Sequence, residues 1–315
     1  MAKTLLLWLS FLFNGPYSTV LPFALLPWIS RSLVEWLVDR ASIPTLPLRW
    51  RAYITGFAAC MPGIVTLSLL SFSAGCIFYA VPDDFDCHME MYGPLCIVAV
   101  LVFRAAALWT YRALTVRRLL ATTHPPSETL LRIAQGLDIP LTELPTRIPV
   151  CMVVGAQSPR VVVSTGMLSA FSEEEMRAAL WHEKGHIERG DTRYNVLISF
   201  FSECGVWPVR NALRQYRQAC EELADQRAIQ EVNGLVLATT LIRFARNSWH
   251  LPFAEALAEN ADLEARVRIL LDEHGTLPRT SRVLWSLTVL LLVCGLMVSY
   301  PMIARRIASL VAHCI

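Results

Sequence analysis

Charge is scarce in this 315-residue chain. Asp, Glu, Lys and Arg make up 17% of it, apolar residues 54%, and the mean hydropathy is +0.44. Soluble domains carry about a quarter charged residues, so this composition excludes an ordinary soluble enzyme. The net charge of +2 gives no footing for a nucleic-acid partner. There is no glycine-rich phosphate loop of the P-loop or dinucleotide type. The nine cysteines include no metal-binding C-x-x-C pair.

What is abundant is apolar sequence, and it is concentrated. Tyr53–Tyr79 carries no charge, and neither does Leu284–Tyr300, which Pro301, Met302 and Ile303 extend. Gly93–Thr110 holds only Arg104, and Leu5–Ile29 is broken by Asn14-Gly15-Pro16, Pro22 and Pro27. Crossing a bilayer takes about 20 apolar residues, so about four transmembrane helices are expected. No small-x-small site follows a short apolar core in the first run, which disfavours a cleaved signal peptide. Two readings of Arg104 stand level: a functional intramembrane charge, or a side chain snorkelling to the interface.

Arginine placement sets an orientation. Arg31, Arg40, Arg49 and Arg51 fill the loop Ser30–Arg51, and Arg112, Arg117 and Arg118 follow the third run. Asp83, Asp84, Asp86 and Glu90, with no Lys or Arg, lie between the second and third. The positive-inside rule then puts the N-terminus outside and residues 112–282 in the cytoplasm. Arg305 and Arg306 oppose this, unless the tail Met302–His313 lies in the interface. The expected organisation is a membrane region over 1–118 with three transmembrane helices, a cytoplasmic domain over 119–280, and a helix with a short tail over 281–315. Cys151, Cys204 and Cys220 are then reduced. Cys87, with Cys76, Cys96 and Cys314 near the same face, is a disulfide candidate whose partner spacing does not give.

The cytoplasmic stretch holds His182-Glu183-Lys184-Gly185-His186, which spells H-E-x-x-H. Ser172-Glu173-Glu174-Glu175 is a capping box, Met176–Ile187 continues without proline, and Gly190-Asp191 ends the helix. On a helix, residues four apart share a face, so both imidazoles can grip one metal ion. Glu183 stands beside them, placed to take a proton from a water bound to that metal. A zinc hydrolase needs a third protein ligand from elsewhere. Downstream, Glu221-Glu222-Leu223-Ala224-Asp225 falls in an expected helix Val209–Ile229. Of the other histidines, His88, His124, His250, His274 and His313 read as ordinary surface residues.

E-x-x-A-D after H-E-x-x-H resembles the gluzincin peptidases of the M56 (BlaR1/MecR1-like) and M48 (HtpX-like) families. Ser158–Leu168 with Phe171–Glu175, Trp207-Pro208-Val209, and Ala261–Leu271 resemble further elements of these families, so the likeness covers about Pro149 to Asp272. Ala224 departs from M56, where Cys is common, as do Trp181 before the motif and Lys184 inside it; none of these removes a ligand. The resemblance implies one Zn2+ held by His182, His186 and Glu221, with Asp225 accepting a hydrogen bond from a ligand histidine. Glu222 competes for the ligand role. Its offset of about 100° from Glu221 takes it off the face shared with Asp225, and a solvated face is preferred for it.

Taken together, the expectation is an α-helical membrane protein with a mainly α cytoplasmic gluzincin metalloprotease domain carrying a small β-hairpin, from Val150–Val154 and Arg160–Ser164. The multi-pass layout, in an inner (plasma) membrane, is similar to the membrane part of the BlaR1/MecR1 sensors. Those continue into an extracellular penicillin-binding sensor. This sequence stops at Ile315, so no β-lactam-sensing role is expected. The expected activity is endopeptidase hydrolysis in regulated proteolysis or membrane-protein quality control. The substrate would be a membrane protein or a cytoplasmic protein such as a repressor. The alternative is a catalytically silent signalling or scaffold protein. A transporter or channel leaves the metal constellation unexplained. Asn195–Val206, almost wholly apolar, reads as a buried helix or a strip resting on the bilayer. Arg214, Arg217 and Tyr216 are guesses for an oxyanion stabiliser.

Overall fold

The computed structural model describes residues 47–79, 85–205, 210–248 and 260–271, with Ser32 and Trp36 isolated upstream. The apolar runs Leu5–Ile29 and Leu284–Tyr300, the tail Met302–His313 and Trp207-Pro208-Val209 lie outside these residues. Helices dominate, with one small sheet.

Two long helices come first, α1 (Leu48–Tyr79) and α2 (Phe85–Ala121). They contain the second and third apolar runs. Among the described residues one stretch, Ala99–Ala121 within α2, is long and apolar enough to cross a membrane. Arg49 and Arg51 are helical residues of α1 rather than loop residues, because Pro47 opens the helix just before them and its carbonyl accepts from the Arg51 N–H. A short α3 (Glu128–Ile133), capped by Ser127, leads to three strands.

Strands β1 (Leu141–Leu144), β2 (Cys151–Val154) and β3 (Arg160–Ser164) form a sheet in the order β1-β3-β2. β2 and β3 are the expected hairpin, with Val153 opposite Val161. Strand β1 runs parallel to β3, Leu141 opposite Val161. It escaped the sequence reading because only four residues separate Pro140 from Pro145, and that punctuation resembles a loop. Every residue of β3 after Arg160 is buried, as a central strand requires.

After α4 (Thr165–Ala170) come the two helices that carry the chemistry. In α5 (Glu173–Arg189) the capping box is present in both directions, and Gly190 closes the helix in the left-handed conformation at φ 69°. α6 (Asp191–Cys204) then leads toward α7 (Arg210–Ala228). The apolar stretch from Asn195 lies mostly in α6. It buries Ile198, Ser202 and Cys204 while exposing Val196 and Leu197. α8 (Gly234–Ser248) and α9 (Asn260–Leu271) complete the described chain, α9 being the helix expected from Ala261–Leu271.

Two cores result. One joins α3, β3, α5 and α8 through Leu130, Leu137, Val161, Leu180 and Leu237. The other joins α1, α6 and α7 through Ala52, Ala58, Ala59, Ile198, Ala212 and Tyr216. Burying each large apolar side chain stabilises the fold by about 1.5–3 kcal/mol. In the second core helices touch backbone to backbone: a Cβ on Gly63 would sit 1.8 Å from the Phe201 carbonyl oxygen. Small residues permit that approach, as in helix packing within membranes.

Candidate metal centre

α5 and α7 cross tightly because the crossing point is small on both sides. A Cβ on Gly185 would lie 3.1 Å from the Cα of Ala224 and 3.2 Å from the Cβ of Arg227. The glycine inside the H-E-x-x-H segment is therefore needed where it stands, and Ala224 is its counterpart. This close crossing brings Glu221 to the histidines.

His182 and His186 present their Nε2 atoms 3.2 Å apart. Glu221 places Oε2 3.4 Å from His182 Nε2 and Oε1 3.5 Å from His186 Nε2. The three side chains offer ligand atoms all within 4.8 Å of one another. On the far side of each ring, His182 Nδ1 meets Asp225 Oδ1 at 2.8 Å and His186 Nδ1 meets Asp191 Oδ2 at 2.7 Å. A carboxylate at Nδ1 fixes the tautomer with hydrogen there, which leaves a bare lone pair on each Nε2. Four acceptor atoms thus converge with no donor among them, and a cation belongs between them. Tetrahedral zinc with bonds of about 2.0–2.1 Å sets neighbouring ligand atoms about 3.3 Å apart; the two Nε2 atoms hold that spacing, and each meets one Glu221 oxygen at close to it. The donor set fits the ion that the motif implies.

Negative charge converges on the same rings, and it favours positive charge there, proton and metal ion alike. Burial alone would lower His182, but hydrogen bonds to Asp225 and Glu221 outweigh it and raise it to about 10. Burial would raise Glu221, yet His186, the hydrogen bond to His182 and Arg266 hold it far below the usual carboxylate range. Asp225 is likewise held low against burial by Arg266 and His182. Glu183 is raised, chiefly by burial and further by the Glu221 charge, with His182 and His186 opposing. The backbone N–H of Val153, on strand β2, donates to Glu183 Oε2 at 2.8 Å.

The structure therefore gathers His182, Glu183, His186, Glu221 and Asp225, and it adds residues that the sequence reading passed over. In the sequence Asp191 reads only as the end of a helix; the left-handed turn at Gly190 returns its side chain to His186. Arg189 donates to Asp191 and to the Cys220 carbonyl. Arg266 grips Asp225 with Nε and Nη2 at 2.7 and 2.8 Å and lies 3.0 Å from Glu221 through Nη1. Its place in Ala261–Leu271 was visible, but nothing in one sequence says where that helix docks.

One expectation needs correction. Glu222 is not on a solvated face: it is 5% exposed and accepts from Arg51 Nη2 at 2.5 Å, because α1 covers that side of α7. Tyr216 is buried, with Gly56 of α1 on one side and the Cys220 side chain as a hydrogen-bond partner. Arg214 Nη2 donates to Asn211 at the start of α7. As for the remaining expectations, Arg104 Nη2 donates to the Glu203 carbonyl at 2.9 Å, which ties α2 to α6. Cys96 carries a free thiol, whereas the side chains of Cys76 and Cys87 and the whole of Cys314 lie outside the described residues.

The family described as BlaR1 peptidase M56 matches residues 92–270 of the chain. That stretch runs from α2 to the next-to-last residue of α9 and contains every residue of the metal centre. No curated protein matches.

Proposed function

Since the chain belongs to the BlaR1 peptidase M56 family, we propose that it is a membrane-embedded zinc endopeptidase acting on proteins at the bilayer surface. The observation that carries this reading is the convergence of two histidine lone pairs and the Glu221 carboxylate, with Glu183 alongside. His182, His186 and Glu221 would hold one Zn2+, which supplies the Lewis acid that polarises a peptide carbonyl and acidifies water.

The chain's own groups do the rest. Strand β2 lies at the edge of the sheet, so the outer backbone groups that Glu183 does not engage suit an extended peptide added as a further strand. The Val153 N–H holds Glu183 Oε2 from that strand, beside the metal centre. Burial raises the proton affinity of Glu183. The carboxylate takes a proton from the attacking water and delivers it to the leaving amine. Asp225 and Asp191 keep both imidazoles turned inward.

The membrane placement rests on α2, whose residues Val100, Phe103 and Trp109 are exposed apolar groups. Arg112, Arg117 and Arg118 at its C-terminal end favour a cytoplasmic metal centre. Substrates are then membrane proteins or cytoplasmic proteins brought to the bilayer.

The deciding experiment compares wild type with Glu183→Gln in detergent, measuring zinc content and cleavage of an unfolded model protein. The reading expects stoichiometric zinc in both and cleavage reduced by about 10²–10⁴-fold in the variant. Zinc in both with no cleavage in either would favour the silent scaffold. Absence of zinc from wild type would overturn the ligand assignment.

A further inference from the structure

Each histidine of the centre leans on a carboxylate, and each carboxylate is held by an arginine. His182 meets Asp225, which Arg266 grips with two nitrogens. His186 meets Asp191, to which Arg189 donates. Both arginines also reach the segment bearing Glu221: Arg266 through the Glu221 carboxylate at 3.0 Å, Arg189 through the Cys220 carbonyl at 2.8 Å. We propose that Arg189 and Arg266 are positioning residues that lock the orientation of the two histidines to the placement of Glu221, presetting the three donors for a divalent cation. This rests on His182, His186 and Glu221 being the metal ligands.

The directed geometry supports it. Arg189 closes the last turn of α5 and Arg266 comes from α9, so α7 is fastened from two sides where it carries the acids.

Geometry and charge predict opposite signs for the loss of Arg266. As a bare counter-charge, it weakens cation binding, so its removal would strengthen binding. As a positioning group, its removal leaves Asp225 buried without its cation and Glu221 free to turn away, so binding weakens. Asp225 is 4% exposed, and a buried carboxylate that loses both of its guanidinium bonds turns toward other donors, which releases His182. The geometric effect therefore dominates. Lysine does not substitute, because one ammonium cannot make three bonds in the fixed fork of a guanidinium.

The test uses the full chain in detergent, with Zn2+ affinity measured by chelator competition and Co2+ bound as a probe of ligand geometry through its visible spectrum. Arg266→Ala is expected to weaken Zn2+ binding about 10–100-fold and to alter the Co2+ bands, with the far-UV spectrum kept. Arg266→Lys should resemble the alanine variant rather than wild type, and Arg189→Ala should show a smaller loss in the same direction. A folded Arg266→Ala that binds Zn2+ as tightly as wild type or more so, with an unchanged Co2+ spectrum, overturns the proposal. Should the alanine variant not fold, Arg266→Lys carries the test on the same criteria. Wild type that binds neither ion would instead refute the ligand assignment, and the proposal with it; a loss confined to the variants concerns the arginines alone.

Discussion

The two cores of this molecule are built on opposite principles. The sheet-side core interlocks large side chains: Leu130, Leu137, Met167, Leu180 and Trp181. The core under α1 is made mostly of alanines, with Gly56 and Gly63 at the contacts. The first excludes water by filling volume; the second lets helix backbones touch. α7 contributes Ala212, Tyr216 and Ala219 to the small-residue core and Ala228 to the sheet-side core. Glu221 and Asp225 sit between these contributions, so the metal centre stands at the junction of two kinds of packing.

That contrast can be broken by adding atoms on one side and removing them on the other. The largest effect is expected from Gly63→Val, whose new side chain has no room beside the Phe201 carbonyl oxygen. Overpacking costs about 1–3 kcal/mol where side chains can yield; here backbone must move, so the cost should exceed that range and appear as loss of folded protein on size exclusion. Next is Glu222→Ala, which strands Arg51 inside the α1–α7 contact. The expected destabilisation is about 3–5 kcal/mol, with much of it recovered by pairing it with Arg51→Met. Detergent thermal melts of the single and double variants check this, and equal losses in both would refute the pairing. Leu180→Ala should cost about 2–5 kcal/mol through the cavity it leaves in the sheet-side core. The same melts measure it.

The smallest effect concerns the start of α5. Ser172→Ala should cost about 1 kcal/mol by removing the cap. Its partner Glu175 is held below the ordinary 4.5: burial would raise it, but the Ser172 backbone N–H and Arg243 outweigh that. A lowered carboxylate stabilises the fold fully above its unfolded value and loses that contribution as pH falls through its folded value. The melting difference between wild type and Glu175→Gln should therefore be largest near neutral pH and shrink below about pH 4.5. A difference that grows in acid would mean that the capping box does not hold the ionised form.

Much of the site was legible because helix periodicity is local. The capping box, the end of α5 at Gly190 and the shared face of His182 and His186 all follow from residues within a few turns. Glu221 follows from a resemblance and the choice against Glu222 from a 100° offset; the structure brings Glu221 to the histidines and Glu222 to Arg51. What periodicity does not report is which helix covers the other side. The solvated face expected for Glu222 failed because α1, more than 140 residues earlier, lies there. Arg266 was hidden for the same reason, reaching its partners from 41 residues away. Strand β1 was hidden by its flanking prolines, its parallel partner being 20 residues on.

The turn at Gly190 also acts as a ruler. Five residues beyond His186, position 191 of an unbroken helix would be rotated about 140° from it and would point elsewhere. Only by stopping α5 at Arg189 and folding back through a left-handed residue does the chain bring Asp191 to the imidazole. The seventeen residues of α5 are thus counted from the metal centre rather than from the size of the core, and its C-terminal end has no freedom to drift.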